Sequence, residues 1–330
     1  NSPGEPGISY HMGTGFTTTS IPAKAQAFLD NMRSTSAQRN QDMVKRVNEF
    51  LSPLVLNYDE DVLPLTPNGN ATERHLCLAY ARKAASMFPE EADLRKFWSE
   101  KLGVSQEDVR DLPEGRPITD LIRAKTMKQG GVGYVKPDSG SFPNMAEMNQ
   151  FVLLCGAIPT FTWLDGCSIG EQSIEELVEV GRSTGVAAFN IIPDRNYTPG
   201  QSDQKLENLK QVVQLTQDLG LPLLGGTEMY SPGQKFVDDF SSAELAPLQP
   251  VFIRGSWILH AHSTLQRDTG MGYLSDWASN QFSDTTAKNE FYATFGELYS
   301  PRGEKRLKEV LHSEMSAGEV TELARQVMSA

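Results

Sequence analysis

Apolar and polar positions divide the chain into two regimes. From about residue 20 to 128 the apolar residues recur at helical spacing: Ala25, Phe28, Leu29 and Met32, then Met43, Val44, Val47, Phe50 and Leu51. Pro53 ends that run, and further helical segments are expected at 71–88, 90–102, 105–111 and 117–128, each bounded by Pro, Gly or a polar cap. After Gly130-Gly131 short apolar runs alternate with helical segments. Strands are expected at 132–135, 157–163, 186–192, 222–226 and 256–261, with one more at 8–11 near the start. Helices are expected at 144–155, 171–184, 203–219 and 234–240, and the chain reads as helical from 273 onwards.

Successive strand–helix units imply an α/β protein with a parallel sheet. No G-x-G-x-x-G follows a strand, so a dinucleotide-binding fold loses its main support. The pattern favours a TIM-like barrel, incomplete or distorted, with a large helical insertion. The expected organisation is a barrel strand and loop at 1–19, a helical insertion at 20–128, strand–helix units at 129–272 and C-terminal helices at 273–330. Six candidate strands are too few for an eight-stranded barrel. One or two strands are therefore expected before Asn1, or a partner chain or an unusual closure over the gap.

Composition narrows the class. The 330 residues are 39% hydrophobic and 22% charged, with a formal net charge of −12. Nucleic acid and anionic membranes favour basic surfaces, so neither is an expected partner. A small-molecule substrate is expected instead, with homo-oligomerisation left open. The three cysteines have no paired spacing, which suits a reducing cytoplasm.

Polar residues stand directly after the expected strands: Asp138, Asp165, Asn190 with Asp194 and Arg195, Glu228, and then His260 and His262. At strand ends such residues build sites, whereas strand interiors pack. His260 and His262 lie two apart, and in a strand they would share one face. With Glu228, and His11 near the start, they form a candidate ligand set for a divalent metal, zinc or manganese. Such a metal would acidify a bound water, with Asp165 or Asp194 as general base. Arg195 suits a carboxylate or phosphate. Arg74 and His75 open a helix whose free N–H groups suit an anion, although a capped, solvated helix start fits the same residues. Lys136 carries a Schiff-base option, Asn190 a substrate contact, and Cys167 has no His beside it in sequence.

The stretches GEPGISYHMGTGF, LPLTPNGNATERH, GGVGYVKPDSGSFP, WLDGCSIGEQ, NIIPDRN, GTEMYSPGQKFVDD and HAHSTLQR resemble bacterial PHP-like and amidohydrolase-like metal-dependent hydrolases. The resemblance covers most of the chain. It implies a TIM-like barrel and hydrolysis of a small anionic or sugar-like substrate. Uronate isomerases share that superfamily, so an aldose–ketose isomerase is the alternative. A barrel that binds a sugar or organic acid without catalysis is a third reading. Such families carry an H-x-H motif on the first barrel strand, where this chain has only His11.

Overall fold

The structure is a computed structural model that describes residues 2, 7–136, 142–197, 203–227, 229 and 236–328. The chain divides into two compact units, residues 26–143 and residues 1–25 with 144–330.

The first unit is helical: α1 (Ala23–Leu51, begun in the other unit), α2 (Glu73–Met87), α3 (Glu91–Leu102) and α4 (Arg116–Thr126). Met43, Val44, Val47 and Leu51 follow one face of α1 and pack with Leu76, Tyr80, Trp98, Ile118 and Ile122. The Tyr80 hydroxyl donates to the Val44 carbonyl at 3.1 Å, so the one polar atom of that ring is satisfied inside the core.

Two expected elements are absent here. Residues 105–111 form turns rather than a helix, because Asp108 accepts from the Ser105 N–H and Asp111 takes a positive φ of 53° before Pro113. Residues 132–135 form a turn rather than a strand. Gly133 N–H donates to the Thr126 carbonyl at 2.7 Å and folds the segment onto the end of α4. A Cβ on Gly131 would lie 2.6 Å from the Thr126 backbone, so this close turn requires glycine.

The second unit holds the sheet. Four strands, β1 (His11–Thr14), β2 (Ile158–Thr162), β3 (Ala188–Ile191) and β4 (Leu223–Gly225), lie in the order β1-β2-β3-β4. β1 is antiparallel to β2, with His11 opposite Phe161, and β2, β3 and β4 are parallel. The mixed α/β class is as expected. The sheet formed by the described residues is open and four-stranded, not a closed barrel.

The chain leads into β2 through α5 (Met145–Leu154) and continues through α6 (Ile169–Gln172), α7 (Ile174–Ser183), α8 (Pro193–Asn196) and α9 (Asp203–Asp218). After β4 come α10 (Gln249–Thr269), α11 (Asp276–Gln281), α12 (Thr285–Leu298), α13 (Glu304–Val310) and α14 (Ala317–Met328). Phe161, Phe189 and Ile191 pack with Val178 of α7 and with Leu209, Val212 and Val213 of α9. Ile158 and Ala188 pack with Ile258 and Leu265 of α10, Tyr292 and Phe295 of α12, and Val320 of α14. The alternation of β3 thus serves two cores at once.

The expected strand 256–261 lies inside α10. Phe252, Gly255, Ile258, Ala261 and Leu265 are buried at helical spacing, and only a window longer than the hexapeptide WILHAH displays that period. Pro250 begins the helix, and Gly270 ends it in the left-handed region at φ 74°. The expected helix at 234–240 is also corrected: residues 236–240 form bends and turns, and 234–235 lie outside the described residues.

Two glycines let α10 sit at the centre. A Cβ on Gly255 would fall 1.8 Å from the Leu223 carbonyl oxygen of β4, and one on Gly296 of α12 would fall 2.0 Å from the Trp257 carbonyl oxygen. Backbone is thus packed against backbone on both sides of the helix. Gly255→Ala is expected to lower the melting temperature, with a loss of about 1–3 kcal/mol from overpacking. Gly318→Ala, where an added Cβ meets nothing within 4 Å, is expected to cost no stability. A Gly255→Ala protein that melts with the wild type would contradict this seating of α10.

Candidate active site at the carboxyl ends of the parallel strands

The three parallel strands end on one side of the sheet, where open α/β sheets bind ligands. β2 runs out into Trp163-Leu164-Asp165-Gly166, β3 into Ile192-Pro193-Asp194-Arg195-Asn196, and β4 into Gly226-Thr227. Glu171, buried in α6, shapes the first turn. Its carboxylate accepts from the Leu164, Asp165 and Gly166 N–H groups at 2.6, 3.3 and 3.0 Å. Three charge-assisted bonds from consecutive amides fix the loop that carries Asp165. The buried Asn196 ties the second loop to the first by donating to the Leu164 and Ile192 carbonyls at 2.9 and 3.2 Å. Its own Oδ1 is buried with no hydrogen-bond partner.

Asp165 accepts from the Cys167 N–H at 3.1 Å and from Lys205 Nζ, at the start of α9, at 2.8 Å. Partial burial opposes its ionisation. The bonds from Lys205 and Cys167 and the charges of Lys205 and Arg195 outweigh that, and hold the carboxyl below its ordinary value. Asp165 is therefore a fixed anion and a poor proton acceptor. Partial burial, and then the Asp165 anion, raise the Cys167 thiol pKa, the opposite of what a thiolate nucleophile needs. The exposed Arg195 acts on Asp165 through its charge. The Asp194 N–H donates to the buried Asp238 carboxylate at 2.9 Å, which anchors the β3 loop to the segment after β4. Asn190 is nearly buried on β3, and a Cβ on Gly226 would lie 3.1 Å from its Oδ1. The Asn190 amide thus packs closely against the end of β4.

Asp165, Asn190, Asp194 and Arg195 thus stand at one end of the sheet, and the geometry adds Lys205, Glu171, Asn196 and Asp238. The Ser168-x-x-Glu171 spacing is a capping signature, and Ser168 Oγ does accept from the Glu171 N–H at 3.3 Å. Sequence patterning therefore gives Glu171 a cap role and conceals its hold on the 164–166 turn.

The histidines are dispersed. On a helix, residues two apart point to roughly opposite sides, so α10 does not bring His260 and His262 together. His262 is 2% exposed. Its Nδ1 accepts from the Tyr273 N–H at 3.0 Å, and its Nε2 donates to the Gly15 carbonyl at 3.2 Å. Gly15 follows Thr14, which pairs with Ile158 at the start of β2, so His262 sits at the amino end of the parallel strands. His260 is exposed and packs on Tyr299, ring centroids 4.6 Å apart. Its pKa is lowered by burial and by the Arg267 charge. His11 is bonded through Nε2 to Asn149, whose Nδ2 donates to the Thr184 carbonyl at 2.8 Å. Burial lowers its pKa against that bond to Asn149.

The expected metal ligands therefore do not converge: both ring nitrogens of His262 are already bonded, and His260 turns away. Glu228 and Asp138 lie outside the described residues. Among the described residues no three His, Cys, Asp or Glu side chains form a metal-binding group.

The remaining expected residues belong to the helical unit. His75 Nδ1 accepts from the Thr72 N–H at 3.1 Å, closing a cap at the start of α2, and Arg74 pairs with Asp120. This is the capped, solvated helix start. Lys136 is exposed after a turn, not at a strand end.

Burial pushes the His262 pKa down to about 4, against the bonds to Gly15 and Gly156 that favour the cation. The unfolded chain takes up a proton near 6.5, whereas folded His262 refuses it until about 4. Its contribution to stability is complete above pH 6.5 and is lost as pH falls through that window. The loss amounts to roughly 3 kcal/mol. Titration of the histidine ring signals by NMR is expected to show His262 as the neutral Nε2–H tautomer with a midpoint well below 6. A midpoint near 6.5 would contradict the buried, doubly bonded ring.

No protein-family model matches the chain, and no curated protein matches it. Among solved structures it is similar to an amidohydrolase from Chromobacterium violaceum determined with bound sulfate and no metal. The identity is 14%, over 74% of this chain and 72% of that chain, with a TM-score of 0.42. A likeness of that order assigns neither residue roles nor chemistry to this chain.

Proposed function

We propose that this chain is a hydrolase of a small anionic substrate, bound across the carboxyl ends of β2, β3 and β4. The observation that carries the reading is the cluster around Asp165, where Lys205 and Arg195 bring two cationic side chains to a loop fixed by Glu171 and Asn196. Arg195 holds the substrate anion by its planar fork. Asn190 orients a polar group at the ends of the strands. Asp194, on the loop anchored by Asp238, is the side chain assigned to accept a proton from the attacking water. Asp165 keeps Lys205 in place and the cluster charged. Zinc or manganese at this site would need ligands other than His260 and His262.

A second reading, binding of an organic acid without turnover, is favoured by one observation. The lowered pKa of Asp165 makes the best-placed carboxylate of the cluster a weak base. The two readings share the anion contacts and differ in whether Asp194 moves a proton.

The test is a panel of carboxylate- and phosphate-bearing amides, esters and lactones incubated in oxygen-18 water. A hydrolase places one labelled oxygen in its product, an isomerase places none, and a binder leaves the compound unchanged. With a turned-over member of the panel, Arg195→Ala is expected to lower kcat/KM roughly 10- to 100-fold, mostly through KM, for the loss of a charged contact. Asp194→Asn is expected to lower kcat with KM little changed. Wild-type kinetics in both variants would end the assignment.

A further inference from the structure

A second cleft opens behind the Asp165 turn, between α6, α7 and α9, with a volume of about 320 Å³. This is within the range of small-molecule sites, roughly 300–1,000 Å³. Three of its wall residues, Gln204, Asn208 and Gln211, stand at i, i+4 and i+7 on α9 and so share one helix face. Gln172 of α6 is a further wall residue.

The amides are each held in place by a hydrogen bond. Gln204 donates to Asn208 Oδ1 at 2.9 Å, Asn208 to the Asp165 carbonyl at 3.1 Å, Gln211 to Glu207 at 3.4 Å, and Gln172 to the Cys167 carbonyl at 3.5 Å. Each bond uses one N–H of an amide that carries two donors and a carbonyl acceptor. Paired donors and acceptors therefore remain on side chains whose positions are already set.

Trp163 also lines the cleft. It is 2% exposed, and among the described residues its indole N–H makes no hydrogen bond. Among the described residues the one charged lining residue is Glu171, and its carboxylate is taken up by the three N–H groups of the 164–166 turn. The cleft thus offers an apolar ring, an unused N–H and several amides, with no free charge.

We infer that this cleft is a binding site for a neutral polyhydroxylated molecule, a sugar or polyol, distinct from the anion cluster at the strand ends. Hydroxyl groups donate and accept at once, which amide walls match in both senses. The aliphatic face of such a ring suits the indole, whose N–H can donate to a hydroxyl oxygen. An anion finds no free cation here and a cation no free carboxylate, which sets the preference for neutral ligands. This inference does not rest on hydrolase activity, and it stands or falls separately.

The experiment titrates the whole protein with glucose, galactose, mannose and sorbitol, with glucuronate and glucosamine as charged counterparts. Tryptophan fluorescence and saturation-transfer NMR follow the binding. At least one neutral compound is expected to saturate, more tightly than either charged one. Gln211→Leu and Trp163→Phe are each expected to weaken it about ten-fold, the loss of one hydrogen bond, and Arg195→Ala is expected to leave it unchanged. Gln204→Leu and Gln211→Leu alter exposed side chains, so they remain informative if Trp163→Phe fails to fold. The inference is overturned if no neutral sugar or polyol saturates, if the charged compounds bind more tightly, or if both glutamine variants bind as the wild type does.

Discussion

The seating of α10 is the constraint on which the sheet-bearing unit depends. The helix touches the β4 backbone through Gly255 and receives the Gly296 face of α12 on its other side. From this position it supplies Ile258, Ala261 and Leu265 to the core that covers Ile158 and Ala188. It also places His262 where one ring joins two distant chain segments, the Gly15 carbonyl after β1 and the Tyr273 N–H. A protonated His262 loses its acceptor nitrogen, so the neutral ring is part of the packing. The same geometry that makes His262 a tie between segments removes it from metal ligation.

With α10 closing one face of the sheet, the other end of the strands is free to carry chemistry. There the loops are held by buried polar groups as well as by the apolar contacts of Trp163 and Leu164. Glu171 gathers three consecutive amides, Asn196 bridges the β2 and β3 loops, and Asp238 anchors Asp194. Buried polar groups are costly unless bonded, so each of these side chains fixes its loop by the cost of leaving it. The exposed Arg195 and the half-exposed pair of Asp165 with Lys205 then sit on a preset frame. Such a frame suits recognition of a small charged molecule, because little ordering remains to be done on binding.

The parallel strands were legible because each is a short buried apolar run between turn residues. β2, β3 and β4 fall inside the expected 157–163, 186–192 and 222–226. The run 256–261 misleads because its six residues, Ser, Trp, Ile, Leu, His and Ala, fit either period. Its helical character appears only from Phe252 to Leu265. The run 132–135 misleads because two of its flanking or internal residues, Gly131 and Gly133, are glycines that turn back onto α4. At the site, Asp165, Asn190, Asp194 and Arg195 were legible as polar residues after strands. Glu171, Lys205, Asn196 and Asp238 were not, because their roles come from partners 4 to 44 positions away along the chain. No local pattern encodes such pairings.

The central claim is that the carboxyl ends of β2, β3 and β4 form an anion-binding site while the α10 histidines are structural. The most direct measurement is amide chemical-shift mapping on isotope-labelled protein during titration with small dicarboxylates and phosphomonoesters. The account predicts saturable shifts concentrated at residues 163–167, 190–196 and 226–227, with the amides around His260 and His262 unmoved. Shifts centred on α10, or spread over the surface without saturation, would contradict it.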